Sequence, residues 1–184
     1  MKKIIISVLG QDRPGIIAAV SKILSDQNCN IENVSQTILQ SEFSGIFIVL
    51  IPEQLSADGL YDHLKEGLAS LNLQVYVKYL EQKETDSSFT DAEPFIITTK
   101  GPDRKGLVAH IAQIIARHGV NVTNLQAVFK GGNDPDKNIM IYEVDIPEHT
   151  DQQTLCADLR EKAGKLGLNI SIQHRNIFEA INRV

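Results

Sequence analysis

An apolar run, a glycine-bounded polar turn and an amphipathic run follow one another around Gly10-Gln11-Asp12-Arg13-Pro14-Gly15. The same arrangement returns around Gly101-Pro102-Asp103-Arg104-Lys105-Gly106. The copies lie 101 − 10 = 91 residues apart, and at that offset Ala18 falls on Ala109, Ile23 on Ile114, Asn30 on Asn121 and Asn33 on Asn124, without a gap. Ungapped self-similarity over this length marks a duplicated domain. A chain of 184 residues, 42% of them hydrophobic, holds enough apolar material for two small cores.

Within the first copy, Lys3 to Leu9 is short, rich in β-branched residues and halted at Gly10, which predicts a buried strand. From Gly15 onward, Ile16, Ile17, Val20, Ile23 and Leu24 recur at helical spacing, with Pro14 at the first turn. A second strand follows, in which Ile31, Asn33, Ser35 and Thr37 alternate with Glu32, Val34, Gln36 and Ile38. Gln40-Ser41-Glu42 turns the chain into a third strand, Ile46 to Ile51, apolar on both faces. Ser56 caps a second helix carrying Leu60, Leu64, Leu68 and Leu71, and Leu73 to Tyr79 makes a fourth strand. The order strand, helix, strand, strand, helix, strand is the α+β, ferredoxin-like βαββαβ arrangement.

The polar run beginning at Gln82 reads as a solvated linker, which divides the chain into domains at 1–81 and 95–184 joined by 82–94. In the second copy only the hairpin differs. The stretch Lys130 to Asn138 lengthens it and moves the later offset to 147 − 52 = 95, as Pro52 and Pro147 show. Thr150 and Gln153 suit a capping box for the last helix, with Leu155, Leu159 and Leu166 on its buried stripe.

Composition narrows the function. A net charge of −5 with interspersed signs lacks the basic footprint that phosphate neutralisation needs, so direct nucleic-acid binding is not expected. The two cysteines, Cys29 and Cys156, have no counterparts in the opposite copy and are not expected to pair. No apolar stretch reaches the length of a membrane span, and a cytoplasmic location is expected. Hydrolase, zincin, Walker and dinucleotide motifs are missing, and the scattered histidines lack metal-ligand spacing, so neither catalysis, cofactor nor metal is expected.

The recurring turn is the better candidate. It stands before a helix N-terminus, whose unpaired N–H groups and dipole favour a carboxylate. Gly10, Gly15, Gly101 and Gly106 would let a small ligand approach the backbone. Asp12 and Asp103 would take an ammonium group, and Asn30 and Asn121 offer a donor and an acceptor together. That set suits a free amino acid. The competing reading is that Asp12 and Asp103 only cap the helices, Arg13 and Arg104 stay in water, and the asparagines close turns.

Asp12-Arg13-Pro14-Gly15-Ile16 after an apolar strand, with Asn30-Ile31 opening the next, resembles the ACT domain, and both copies share the likeness. The resemblance implies a regulatory βαββαβ module that binds amino acids or similar metabolites between two such modules, often side by side in one continuous antiparallel sheet. A chain of two such repeats is similar to the glycine cleavage system transcriptional repressor group. That likeness implies a homo-oligomer that senses glycine or a similar amino acid and acts on a protein partner, a LysR-type activator, without touching DNA. A regulatory or oligomerisation module acting on a metabolic enzyme is the alternative. The implied ligand residues are Gly10, Asp12, Arg13, Gly15, Ile16, Asn30 and Ile31 in one copy, and Gly101, Asp103, Arg104, Gly106, Leu107, Asn121 and Val122 in the other. Lys105, standing where Pro14 stands, departs from the pattern. The same Asp-Arg-Pro-Gly-Ile module opens formyltetrahydrofolate deformylases, whose chains continue into a catalytic domain; here a second repeat stands in that place.

Overall fold

The structure, a computed structural model, describes residues 2–81, 92–130 and 138–176. The body of the expected linker and the lengthened hairpin tip lie outside these residues, as does the end of the second expected domain. The chain divides into two compact units, Met1–Lys83 and Glu84–Val184.

In the first unit, β1 (Lys2–Gln11), β2 (Asn30–Leu39), β3 (Glu42–Ile51) and β4 (Gln74–Tyr79) form one antiparallel sheet in the order β2-β3-β1-β4. The helices α1 (Ile16–Asp26) and α2 (Ala57–Gly67) pack on one face. Period-two alternation in the strands turns Ile4, Ile6, Val8, Phe43, Phe47, Val49 and Ile51 toward that face. There they meet Ile16, Val20 and Leu24 of α1 and Leu60 and Leu64 of α2. Each such fully buried side chain contributes roughly 1.5–3 kcal/mol relative to exposure. Ser56 caps α2 as expected, its Oγ accepting the Gly59 N–H at 3.0 Å.

The second unit repeats the plan with β5 (Ala92–Lys100), α3 (Leu107–Arg117), β6 (Asn121–Phe129), β7 (Asn138–Pro147), α4 (Gln152–Leu166) and β8 (Asn169–His174), ordered β6-β7-β5-β8. Both copies are therefore ferredoxin-like βαββαβ domains. Cys29 and Cys156 are free thiols, and burial raises the pKa of Cys29.

Several boundaries differ from expectation, each for a local reason. β1 runs past Gly10 to Gln11 because β3 already starts at Glu42 and pairs with it; the hairpin turn is only Gln40–Ser41. β3 is buried on one face only, for Ile46 on the other is 45% exposed. Strict alternation in β2 is broken by a register shift at Glu32, whose carboxylate turns to Lys3 at 2.6 Å, so Ile31 faces the core and Asn33 does not. Ala92, Glu93 and Pro94 belong to β5 rather than to a linker. Pro94 is tolerated there because the β8 ladder begins only at Phe95. The cap of α4 is Asp151, not Thr150. Its carboxylate accepts the Gln153 and Thr154 N–H groups at 3.0 and 3.1 Å and the Thr154 hydroxyl at 2.6 Å, an arrangement a charged carboxylate at the positive helix end favours. Thr150 instead donates to the His118 carbonyl.

One polar atom is out of place in the second core. Thr99 is fully buried and its hydroxyl has no hydrogen-bond partner among the described residues, whereas the first copy has Val8 there. Removing a desolvated, unsatisfied hydroxyl at constant shape is favourable. Thr99→Val is expected to stabilise the second unit by about 1 kcal/mol, read as a higher denaturant midpoint at unchanged slope.

Candidate functional site

β1 ends pointing one way along the sheet and α1 must start back the other way, so the chain reverses between Gln11 and Ile16. Gly15 makes the reversal possible. It adopts φ 98°, a left-handed conformation that an L side chain rarely takes. The Asp12 N–H is tied to the Ser41 carbonyl of the hairpin turn at 2.7 Å, and the first intrahelical bond runs from the Ala19 N–H to the Gly15 carbonyl at 2.9 Å. No side chain caps α1. The first-turn amides, at the positive end of the helix dipole, thus precede any intrahelical bond.

Beside them lies a pocket of about 430 Å³ lined by Asp12, Arg13, Gly15, Ile16, Ile17, Ala18, Gln36 and Phe43. A cation, an anion, an amide and helix N–H groups surround an apolar floor. That arrangement can hold a carboxylate at the amides with Arg13 alongside, and an ammonium at Asp12. The alternative in which Asp12 serves as the helix cap does not hold, because Gly15 occupies the cap position.

Of the residues expected together, Asp12, Arg13, Gly15 and Ile16 line this pocket. Gly10 does not. A Cβ there would lie 2.7 Å from Leu73 Cδ2, so close packing against the start of β4, rather than ligand approach, excludes a side chain; Gly101 is likewise covered by Leu168 at 2.6 Å. Asn30 and Ile31 stand at the far end of the sheet. Gly10 is opposite Phe43 while Asn30 is opposite Leu50, seven residues along β3 (50 − 43 = 7), or about 23 Å at the usual rise. Asn121 and Val122 are displaced from Gly101 in the same way, for Asn121 pairs with Asp145 and the Gly101 N–H bonds to the Asn138 carbonyl. The cause is that α1 and α3 carry the chain back along the sheet before β2 and β6 begin. Gln36 and Phe43 are not among the expected residues because the sequence places Glu42 in the turn, and Ile17 and Ala18 follow the expected Ile16 on α1. A two-residue turn pairs Leu39 with Glu42 and so brings Gln36 and Phe43 to the Gly10 end of the sheet.

The second turn has the same backbone and different chemistry. Gly106 takes φ 83° and α3 is also uncapped. Pro102, which replaces Gln11 and has no N–H to donate, lies beyond β5, which stops at Lys100. Asp103, Arg104 and Lys105 are exposed, and His110 lies close to Gly106 on the first turn, where the other copy has Ala19. Leu107 is buried in the core. Because the space around Gly15 is open, Gly15→Ala carries backbone strain alone. We expect it to cost about 1–2 kcal/mol of first-unit stability, measured by denaturation, with the helical circular dichroism retained.

Another depression, of about 530 Å³, lies between α3 and α4, lined in part by Arg117, Asp158, Glu161 and Lys165. Its charges face each other rather than an empty centre. Asp158 Oδ2 accepts from His118 Nε2 at 2.9 Å and from Arg117 Nη2 at 2.7 Å, and Lys165 pairs with Glu161. The His118 and Arg117 bonds tie the end of α3 to α4 and hold the Asp158 carboxyl below its usual range, chiefly through His118 and then Arg117; Asp151 is lowered as well, chiefly by the Thr154 hydroxyl. A depressed carboxyl stabilises above its unfolded pKa, about 4, and that contribution is lost as pH falls through the folded value. Asp158→Asn should therefore be less stable than the parent near neutral pH, with the difference shrinking below about pH 4 in thermal melts.

Among the described residues no group of three or more His, Cys, Asp or Glu could hold a metal ion, and no helix is long and apolar enough to cross a membrane.

A family model described as "ACT domain" matches residues 2–78 and again 93–173. The chain is 35% identical over 80 residues to the UPF0237 protein MK1213 of Methanopyrus kandleri, covering 43% of this chain and 89% of that protein. It is 38% identical over 80 residues to the UPF0237 protein MJ1558 of Methanocaldococcus jannaschii, with the same coverage. Among solved structures, an unknown protein from Galdieria sulphuraria superposes with a TM-score of 0.75 at 21% identity, over 94% of this chain and 98% of that one. A protein proposed to be a glycine cleavage system transcriptional repressor does so with a TM-score of 0.65 at 15% identity, over 94% and 96%. At these identities the two structures speak for the fold. The family model covers most of the chain, and twice over: this protein belongs to the ACT domain family and carries the domain in tandem.

Proposed function

We propose that the chain is a non-enzymatic regulatory protein that senses a free amino acid at the Asp12–Ile16 turn. The observation that carries this reading is the pocket at the uncapped start of α1, where Asp12, Arg13 and Gln36 surround the first-turn amides. Zwitterion recognition needs both signs of charge within a few ångströms, and this turn supplies them next to a helix dipole. The second turn is proposed as a seat for another ligand or for none, since Lys105 and His110 change its surroundings.

Bound ligand regulates by favouring one arrangement of the protein over another, which requires different ligand affinities in the two. The partner we propose is a protein that controls transcription of amino-acid or glycine-cleavage metabolism, such as a LysR-type activator. The fold shared with a proposed repressor of that system and the acidic charge of −5, which disfavours direct contact with DNA, support this role. Action in the cytoplasm follows from such a partner. We also propose a homo-oligomer: the edge strand β2 exposes Val34, Ile38 and Leu39, and antiparallel pairing of two copies along β2 would bring Asn30 of one toward the turn of the other, the end its own Asn30 does not reach.

Titration calorimetry of the full chain with a panel of amino acids tests the core of the proposal. Binding at micromolar to low millimolar concentration is expected, abolished in Asp12→Ala and Arg13→Ala while the circular dichroism spectrum stays unchanged. A panel without any binding at millimolar concentration would remove the sensor role.

A further inference from the structure

We infer that the first seat takes an amino acid with an apolar side chain, at one ligand per chain, because the Phe43 ring, packed over Gly45, gives the first copy an apolar floor where the second has Asn138, with Met140 in the glycine's place. The inference rests on the reading of Asp12–Ile16 as an amino-acid seat and specifies what that seat selects.

The two positions are equivalent by register. Gly45 is opposite Val8 on β1 and Gln36 on β2; Met140 is opposite Thr99 on β5 and Ala127 on β6. Val8 and Thr99, like Gln36 and Ala127, are 91 residues apart, the offset of the duplication (99 − 8 and 127 − 36). Gly45 therefore sits on the helix face of the sheet where Met140 sits.

What surrounds them differs. A Cβ on Gly45 would lie 2.8 Å from Phe43 Cζ, 2.9 Å from Phe43 Cε1 and 3.2 Å from Phe47 Cε2, so the Phe43 ring lies across the glycine and forms part of the pocket floor. In the second copy Met140 is buried, its sulfur 3.5 Å from the Tyr142 hydroxyl. Asn138 stands in place of Phe43, and its Oδ1 accepts the Lys130 N–H at 3.0 Å. The ring and the Gln36 amide of the first pocket, and the glycine that the ring covers, are thus replaced by Asn138, Ala127 and Met140.

The lining of the first pocket points to the ligand. Once Arg13 with the helix amides holds a carboxylate and Asp12 an ammonium, what is left of the lining is Ile16, Ile17, Ala18 and Phe43 with the neutral Gln36. An aliphatic side chain fits that remainder; a third charge would have no counter-ion.

The test is calorimetry of the full chain with glycine, alanine, valine, leucine and aspartate. Leucine or valine should bind at least about tenfold more tightly than glycine, as added methylenes do in an apolar pocket, with one equivalent per chain. Phe43→Asn with Gly45→Met, which copies the second repeat, should remove most of that preference. Ile17→Ser, at a half-buried helix position, should lower the leucine-to-glycine ratio even if the double variant does not fold, with circular dichroism showing that the helix is kept. Glycine or aspartate binding as tightly as leucine, two equivalents per chain, or an unchanged ratio in Ile17→Ser would overturn this inference while the sensor role stands. Failure of every amino acid to bind would overturn both.

Discussion

The reversal of the chain between β1 and α1 is the constraint on which the rest of each domain depends. A helix that packs on the sheet it has just left must start within a few residues of the strand end, and the left-handed Gly15 and Gly106 accomplish this without a capping side chain. Two consequences follow from the one geometry. The helix is laid down with its Ile16, Val20 and Leu24 stripe over Ile4, Ile6 and Val8, which forms the core. The same turn leaves first-turn amides without a side-chain acceptor, beside residues of both charges. Packing and recognition share a cause, and for that reason the turn stands out in the sequence.

Much of the fold was legible because its signals are local. Helical spacing placed α1 to α4, β-branched runs placed the strands, and the duplication supplied an internal check on each. What escaped depended on register. A three-residue turn through Glu42 does not pair Gln36 with Gly45, and so leaves Gln36 and Phe43 out of the pocket lining. Asn30 looked like a ligand residue because it follows the helix in sequence, yet the helix has by then carried the chain to the opposite end of the sheet. Gly10 looked like an opening for a ligand, whereas Leu73, distant in sequence, fills the space. The capping of α4 shows the same limit on a smaller scale: Thr150 and Asp151 are adjacent candidates, and only the backbone path decides which carboxylate or hydroxyl reaches the first turn.

Comparing the two copies separates what the backbone requires from what the side chains vary. Where the first copy needs a left-handed residue it uses Asn28 and Asn72, and the second uses Gly119 and Gly167 at the matching places, 119 − 28 = 91 and 167 − 72 = 95. Asparagine tolerates this conformation better than most L residues, so the exchange leaves the fold unchanged. Elsewhere the copies part company on the outer face. Ile5 and Ile48 pair on the first sheet; on the second, Ile96 pairs with Glu143, which binds Asn124 at 2.8 Å and Arg175 at 3.0 Å.

Those differences are not spread evenly. The left-handed positions at the helix starts and ends, Gly15 and Gly106, Asn28 and Gly119, and Asn72 and Gly167, remain glycine or asparagine in both copies, and the α1 and α3 stripes stay aliphatic, because either change would disturb a whole domain. Substitutions of chemical character fall at both ends of the sheet: Pro14 and Lys105, Gln36 and Ala127, Phe43 and Asn138, and Gly45 and Met140 lie toward the turn, while Ile48 and Glu143, and Leu50 and Asp145, lie away from it. Those toward the turn change what surrounds the uncapped helix amides, while the left-handed glycine that starts each helix is retained. The shared backbone therefore supplies the same amides in both copies, and each copy's side chains decide what they meet.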